Sequence, residues 1–246
     1  MKLYGLIGKH IKHSFSPSYF AEKFRNEGLI DVDYRLFPLS RISEFKKLIA
    51  TEPDLTGLNV TIPYKTLIIP FLDSISEEAK TVGAVNTIKF TGTKTIGFNT
   101  DVFGFTESLK AHIGKENYLS KALILGTGGA SKAISFALNQ LNIKYQHVSR
   151  NAGKGLLTYE NLNKSVIEKH LIIINTSPLG MAPNINSYPD LPYKAIGKQH
   201  LLFDLVYNPE RTVFMKKGIE KGATVLNGLQ MLHLQAEKSW EIWQEP

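Results

Sequence analysis

No cysteine occurs in this chain, which excludes disulfide staples, thiolate nucleophiles and Cys-ligated zinc or iron–sulfur centres. No apolar run approaches the ~18 residues of a membrane-spanning helix, so a membrane partner is not expected. The opening run Met1-Lys2-Leu3-Tyr4-Gly5-Leu6-Ile7-Gly8 meets Lys9, His10 and Lys12 too soon for a signal peptide, and a cytoplasmic location is the expectation. Repeats, low-complexity tracts and Arg/Lys runs are missing, which argues against a nucleic-acid partner despite a net charge of +7. His10, His13 and His147 lack ligand spacing, so no metal is expected.

What is present is ordinary for a soluble globular protein: 43% hydrophobic and 21% charged residues over 246 positions. At roughly 100–200 residues per domain, that length admits one large domain or two small ones. The basic surplus, 29 − 22 = 7, suits attraction of small anions.

Strand-like and helical stretches alternate, which predicts α/β architecture with parallel sheets. In the first half, strands are expected at Lys2 to Gly8, Val32 to Phe37 and Leu58 to Ile62, with a hairpin of Val85 to Phe90 and Thr95 to Phe98. Helices are expected at Pro17 to Glu27, Ile42 to Ala50 and Val102 to about Ile113, the first with Ser16 as N-cap and Pro17 at its first position. In the second half, strands are expected at Ala122 to Leu125, Tyr145 to Ser149, Leu171 to Asn175, Leu201 to Leu205 and Thr224 to Leu226, and helices at Ser131 to Leu141 and Leu229 to Trp243. The boundary between the two series falls near residues 100–118.

Leu123-Ile124-Leu125-Gly126-Thr127-Gly128-Gly129-Ala130-Ser131 reads as strand, turn, then helix, the context of a dinucleotide-binding turn. Gly126 permits the tight turn, Gly128 lets backbone approach a pyrophosphate, and the helix offers free N–H groups to the anion. Ser131 stands where the usual third glycine would be. The next strand ends His147-Val148-Ser149-Arg150-Asn151, with Lys154 nearby and no carboxylate to hold a ribose 2′-hydroxyl. Arg150 and Ser149 suit a 2′-phosphate instead, which points to NADP over NAD.

Polar residues gather where first-half strands end: His13-Ser14-Phe15-Ser16-Pro17, Asn59-Val60-Thr61-Ile62-Pro63-Tyr64-Lys65, Gly83-Ala84-Val85-Asn86-Thr87 and Asn99-Thr100-Asp101. Ligands of open α/β sheets bind beyond strand ends. Singly, each polar residue has a plain structural reading as a cap, a turn or a solvated charge. As an ordered set they resemble the shikimate dehydrogenase family. Asn175-Thr176-Ser177-Pro178-Leu179-Gly180-Met181, Asp204-Leu205-Val206-Tyr207-Asn208-Pro209 and Gly228-Leu229-Gln230-Met231-Leu232-His233-Leu234-Gln235 continue that resemblance over nearly the whole chain. Ser149-Arg150-Asn151 stands where the family usually reads Asn-Arg-Thr, and Gln230 where many members have glycine.

The resemblance implies two α/β domains with the active site in the cleft between them. Residues 1–101 with 229–246 would form a substrate-binding and catalytic domain, and 102–228 a Rossmann-like NADP-binding domain. It implies reversible NADPH-dependent reduction of 3-dehydroshikimate to shikimate, on the route to chorismate and the aromatic amino acids, by a monomer or homodimer. Ser14 and Ser16 would hold the substrate carboxylate, with Tyr207 nearby. Thr61, Lys65, Asn86, Asp101 and Gln235 would surround the ring hydroxyls. Gly126, Thr127, Gly128, Gly129, Ala130, Ser149, Arg150, Asn151 and Lys154 would hold the cofactor, with Leu205 and Gly228 at its nicotinamide end.

Ketone reduction needs a hydride on carbon and a proton on oxygen, and no side chain supplies the former. Lys65 and Asp101 are the titratable pair in the matching segments. Lys65 is expected to exchange the proton and Asp101 to orient the oxygen and Lys65. Three other readings compete: an NAD-dependent quinate/shikimate dehydrogenase, a folate dehydrogenase of related form, and a non-catalytic nucleotide-binding regulator. Arg150 speaks against the first, the small-carboxylate pair Ser14/Ser16 against the second, and Lys65 with Asp101 against the third.

Overall fold

The structure is a computed structural model that describes residues 1–113 and 120–245, so part of the expected 100–118 boundary lies outside the described residues. The chain packs as two compact units, one of Met1–Thr100 with Ala236–Pro246 and one of Asp101–Gln235. No described helix is long and apolar enough to cross a membrane.

The first unit is built on a six-stranded sheet of order β2-β1-β3-β5-β6-β4. Its strands are β1 (Lys2–Gly8), β2 (Val32–Pro38), β3 (Leu55–Val60), β4 (Ser74–Ile75), β5 (Thr87–Thr91) and β6 (Lys94–Phe98). Helices α1 (Ser16–Asn26), α2 (Phe45–Thr51) and α3 (Glu77–Val82) belong to the same unit. β1 alternates between faces with the two-residue period of a strand. Leu3 and Ile7 join Phe45, Leu58 and Ile88 in one core, while Tyr4 and Leu6 join Phe20, Phe24, Tyr34 and Trp243 in another.

The expectation of parallel sheets holds here only in part, because the expected hairpin makes this sheet mixed. β1–β2, β1–β3 and β4–β6 pair parallel, but β3–β5 and β5–β6 pair antiparallel. Thr91 pairs with Lys94 across Gly92-Thr93, and a turn that short joins only antiparallel strands. The Ser16 N-cap is also corrected. Phe15 is the N-cap, Ser16 is the first helical residue, and no side chain caps α1. The Ser16 N–H donates instead to Ser14 Oγ at 3.3 Å, so the upstream serine satisfies that early donor.

The second unit has a six-stranded, wholly parallel sheet of order β12-β11-β10-β7-β8-β9. It comprises β7 (Ala122–Leu125), β8 (Tyr145–Ser149), β9 (Leu156–Thr158), β10 (Ile172–Asn175), β11 (Leu201–Asp204) and β12 (Thr224–Leu226). Its helices are α4 (Asp101–Lys110), α5 (Gly129–Gln140), α6 (Lys164–Lys169) and α7 (Val213–Ile219). The last helix, α8 (Leu229–Gln244), begins with this unit and ends with the first. β7 and β10 are buried throughout, which is why they read as unbroken apolar runs.

The far half of α8 packs on the first sheet. Trp243 Nε1 donates to the Ile88 carbonyl at 3.0 Å, and Gly57 makes room, because a Cβ there would strike the indole. Ser239, wholly buried, meets Thr87 Oγ1 at 2.7 Å, Asn59 Nδ2 at 3.0 Å and Thr100 Oγ1 at 3.1 Å.

Candidate functional site

Strand polarity places the polar segments of the first half together. β1, β3 and β6 all run the same way, and β5 runs against them. The carboxyl ends of β1, β3 and β6 and the amino end of β5 therefore share one sheet edge. Backbone bonds stitch that edge. Thr61 N–H donates to Ile7 O at 2.9 Å, Val60 N–H to Asn86 O at 2.8 Å, Asn86 N–H to Phe98 O at 3.0 Å and Val85 N–H to Lys65 O at 2.7 Å. Ser14 and Ser16, half-buried, lie with their hydroxyls 3.4 Å apart after β1. Thr61 and Lys65 flank a cis Ile62–Pro63 bond after β3.

Asn86 is 2% exposed. Its side-chain carbonyl accepts the Thr100 N–H at 2.7 Å, and its amide donates to Thr100 Oγ1 at 2.9 Å. Tyr34 lies beneath, donating its hydroxyl to Asn59 Oδ1 at 2.8 Å, and burial holds that phenol well above the ordinary range. The edge is thus fixed by a buried polar layer, which a sequence shows only as isolated Asn, Thr and Ser residues.

Asp101, 5% exposed, opens α4 in the second unit. α4 and α8 cross at Gly104, where a Cβ would meet Met231 O at 2.6 Å and Gln235 Cβ at 3.1 Å. Asp101 lies one turn before that crossing and Gln235 lies at it, so a helical glycine draws together the helices that carry both. Gln235 donates to the Leu232 carbonyl at 2.8 Å.

The glycine-rich turn follows β7. Gly126 has φ +131°, and a Cβ there would meet Thr176 Oγ1 at 2.6 Å, so glycine is required by the fold itself. Gly128 differs: its φ is −82°, and a Cβ would meet nothing within 4 Å. Packing does not demand glycine there, and the open space lies at the uncapped start of the twelve-residue α5. An anion approaching the N-terminal N–H groups needs such a cradle. Ser149 is half-buried and Arg150, Asn151 and Lys154 are exposed after β8, with no carboxylate among residues 145–155. The donor set fits a dinucleotide with a 2′-phosphate. Leu205 and Gly228 meet directly, since a Cβ on Gly228 would collide with the Leu205 carbonyl.

Sequence reading missed the network around Asp204. Asp204, fully buried at the end of β11, accepts from Thr212 Oγ1 at 2.6 Å, Asn175 Nδ2 at 2.9 Å and the Val206 N–H at 3.1 Å. Burial pushes its carboxyl up to about 6, against the pull of those three donors. The signal was the lone acid closing the apolar run Leu201-Leu202-Phe203.

A model of the shikimate dehydrogenase substrate binding domain matches residues 6–88. The chain is 40% identical to an NADP(+) shikimate dehydrogenase of Methanococcus maripaludis, over 98% of this chain and 91% of that one. A crystal structure of shikimate dehydrogenase from Aquifex aeolicus superposes with a TM-score of 0.88 at 36% identity, covering 99% of this chain and 92% of that one. The enzyme of Thermus thermophilus, solved in complex with NADP(H) and shikimate, gives a TM-score of 0.88 at 28% identity, covering 99% and 94%. With that identity sustained from end to end, the chain belongs to the shikimate dehydrogenase family.

Proposed function

We propose that the chain is the NADP-dependent shikimate dehydrogenase of its organism, interconverting 3-dehydroshikimate and shikimate on the route to chorismate and the aromatic amino acids. The observation that carries this reading is the convergence of Ser14, Ser16, Thr61, Lys65 and Asn86 on one sheet edge in a chain of that family. The cytoplasm is its place of action, as a monomer or homodimer without nucleic-acid partners. Residues 1–101 with 229–246 serve the substrate and residues 102–228 the cofactor.

NADPH, when bound, supplies the hydride. Gly126, Thr127, Gly128, Gly129 and Ala130 hold its pyrophosphate, Ser149, Arg150, Asn151 and Lys154 its 2′-phosphate, and Leu205 and Gly228 its nicotinamide end. Ser14 and Ser16 fix the substrate carboxylate with their hydroxyls, with Tyr207 nearby, and so set the ring's orientation. Thr61, Asn86 and Gln235 hydrogen-bond the ring hydroxyls. Lys65 hydrogen-bonds the reacting oxygen, gives it a proton during reduction and takes one back during oxidation. Asp101 orients that oxygen and the Lys65 ammonium.

The test is steady-state oxidation of shikimate with NADP, followed at the absorbance of the reduced nicotinamide. Turnover with shikimate and NADP well above that with quinate or NAD supports the reading. Preference for NAD and quinate replaces it with the quinate/shikimate alternative, and no turnover with any pair overturns it.

A further inference from the structure

Two carbonyls of the glycine-rich turn are held from inside the second unit. Ser131, at the position of the missing third glycine and 1% exposed, donates its hydroxyl to Gly128 O at 2.7 Å. His147, on the neighbouring strand β8, sets Nδ1 3.0 Å from Gly126 O. Its Nε2 lies 2.9 Å from Ser135 Oγ on α5, and Ser135 is also 2.8 Å from Ser131 O. In a trans peptide the C=O and the following N–H point opposite ways. A Gly126 oxygen turned onto His147 therefore aims the Thr127 N–H away from it, and the Ser131 bond does the same for the Gly129 N–H. Those are donors on which an anion at this turn depends.

The protons on His147 follow from its partners. A carbonyl only accepts, so Nδ1 carries a proton and donates to Gly126 O, while Nε2 faces the Ser135 hydroxyl. No carboxylate lies on the elements packed against it. α5 carries Lys132 as its one charged residue, β7 and β9 carry none, and on β8 the other titratable group is Tyr145, whose ring stands edge-on to the imidazole with centroids 5.5 Å apart. Arg150 and Lys154 follow on the chain.

We infer that His147 is a positioning residue for the dinucleotide: it acts through the Gly126 peptide to aim the turn at the pyrophosphate. The inference rests on the NADP reading above and adds a positioning residue to that same site.

The experiment is direct titration of the full chain with NADP, by fluorescence or calorimetry, for wild type, His147→Leu and His147→Asn. Asparagine keeps a donor near the Nδ1 position. His147→Leu is expected to weaken NADP binding about five- to tenfold, the loss of one hydrogen bond. His147→Asn is expected to recover to within about twofold of wild type. Shikimate affinity stays unchanged in both variants. NADP affinity unaltered in His147→Leu, no recovery in His147→Asn, or an equal loss of shikimate binding would each overturn the inference. Should His147→Leu not fold, His147→Val takes its place in the same comparison. Failure of the wild type to bind NADP would instead overturn the function, and this inference with it.

Discussion

Ser239 Oγ lies 2.7 Å from Thr87 Oγ1, joining residues 152 apart in sequence. The same hydroxyl meets Asn59 and Thr100, so one serine on α8 bonds three buried polar groups under the substrate-side sheet edge. Ser239→Ala takes one hydrogen bond from each of those partners, which keep others to Asn86 and to one another. It is expected to destabilise the protein by about 1–3 kcal/mol, read as a lowered denaturation midpoint with an unchanged m-value. Because Ser239 touches the layer below the site, kcat at a temperature where the variant is folded should stay within about threefold of wild type.

Replacing Lys65 with Met removes the proton-exchanging group and keeps the stem's bulk. A fall in kcat of about 100- to 10,000-fold is expected. KM for shikimate should change little, because the lost interaction is one the transition state alone uses in full. Steady-state kinetics in the oxidation direction reads both, and a near-normal kcat would remove Lys65 from the chemistry.

The two glycines of the turn separate folding from binding. Gly126→Ala forces a Cβ towards Thr176 Oγ1 at 2.6 Å and a side chain into φ +131°, so a loss of about 1–3 kcal/mol in thermal or urea unfolding is expected. Gly128→Ala meets open space at an ordinary φ and should change stability by less than about 1 kcal/mol. Its methyl nevertheless stands where the pyrophosphate approaches, and NADP affinity should drop at least about tenfold.

Much of this was legible in the residues. β1 and β7 fall where buried apolar runs put them, and the half-buried β8 and β12 fall where β-branched and aromatic residues bounded by lysine, glycine or asparagine put them. α7 was missed because Lys216, Lys217 and Gly218 interrupt its apolar face. β4, two residues long, gives no pattern at all. Ser14, Ser16, Thr61, Lys65 and Asn86 could be picked out as strand-end polar residues, yet their shared edge depends on β5 running backwards, which is a fact of pairing at long range. The role of Gly104 was invisible for the same reason: it depends on α8, distant in sequence.

Arg150 gives a test of cofactor choice. Arg150→Ala removes a charged donor from the end of β8, where no carboxylate stands to hold a 2′-hydroxyl. Its kcat/KM with NADPH is expected to fall about 10- to 100-fold, with NADH nearly unaffected, since charge-assisted hydrogen bonds contribute about 1.5–3 kcal/mol. Equal losses with both cofactors would place Arg150 away from the 2′-phosphate.

Asp204 links stability to pH with a sign opposite to that of a salt-bridged carboxylate. Its folded-state pKa is raised to about 6 from an ordinary 3.8, with burial as the chief cause. Between those values the folded chain holds more protons than the unfolded one, so its contribution to stability falls as pH rises through the window and is level above it. Asp204→Asn keeps an oxygen to accept from Val206 and Asn175 and removes the buried charge. Relative to wild type it should gain stability progressively from about pH 4 to about pH 6, up to the order of 3 kcal/mol, with no further gain above. Urea unfolding across that range measures the difference. If the two curves run parallel, the donors from Thr212, Asn175 and Val206 offset the burial in full, and the carboxylate that carries the Leu205–Tyr207 loop is charged there without cost.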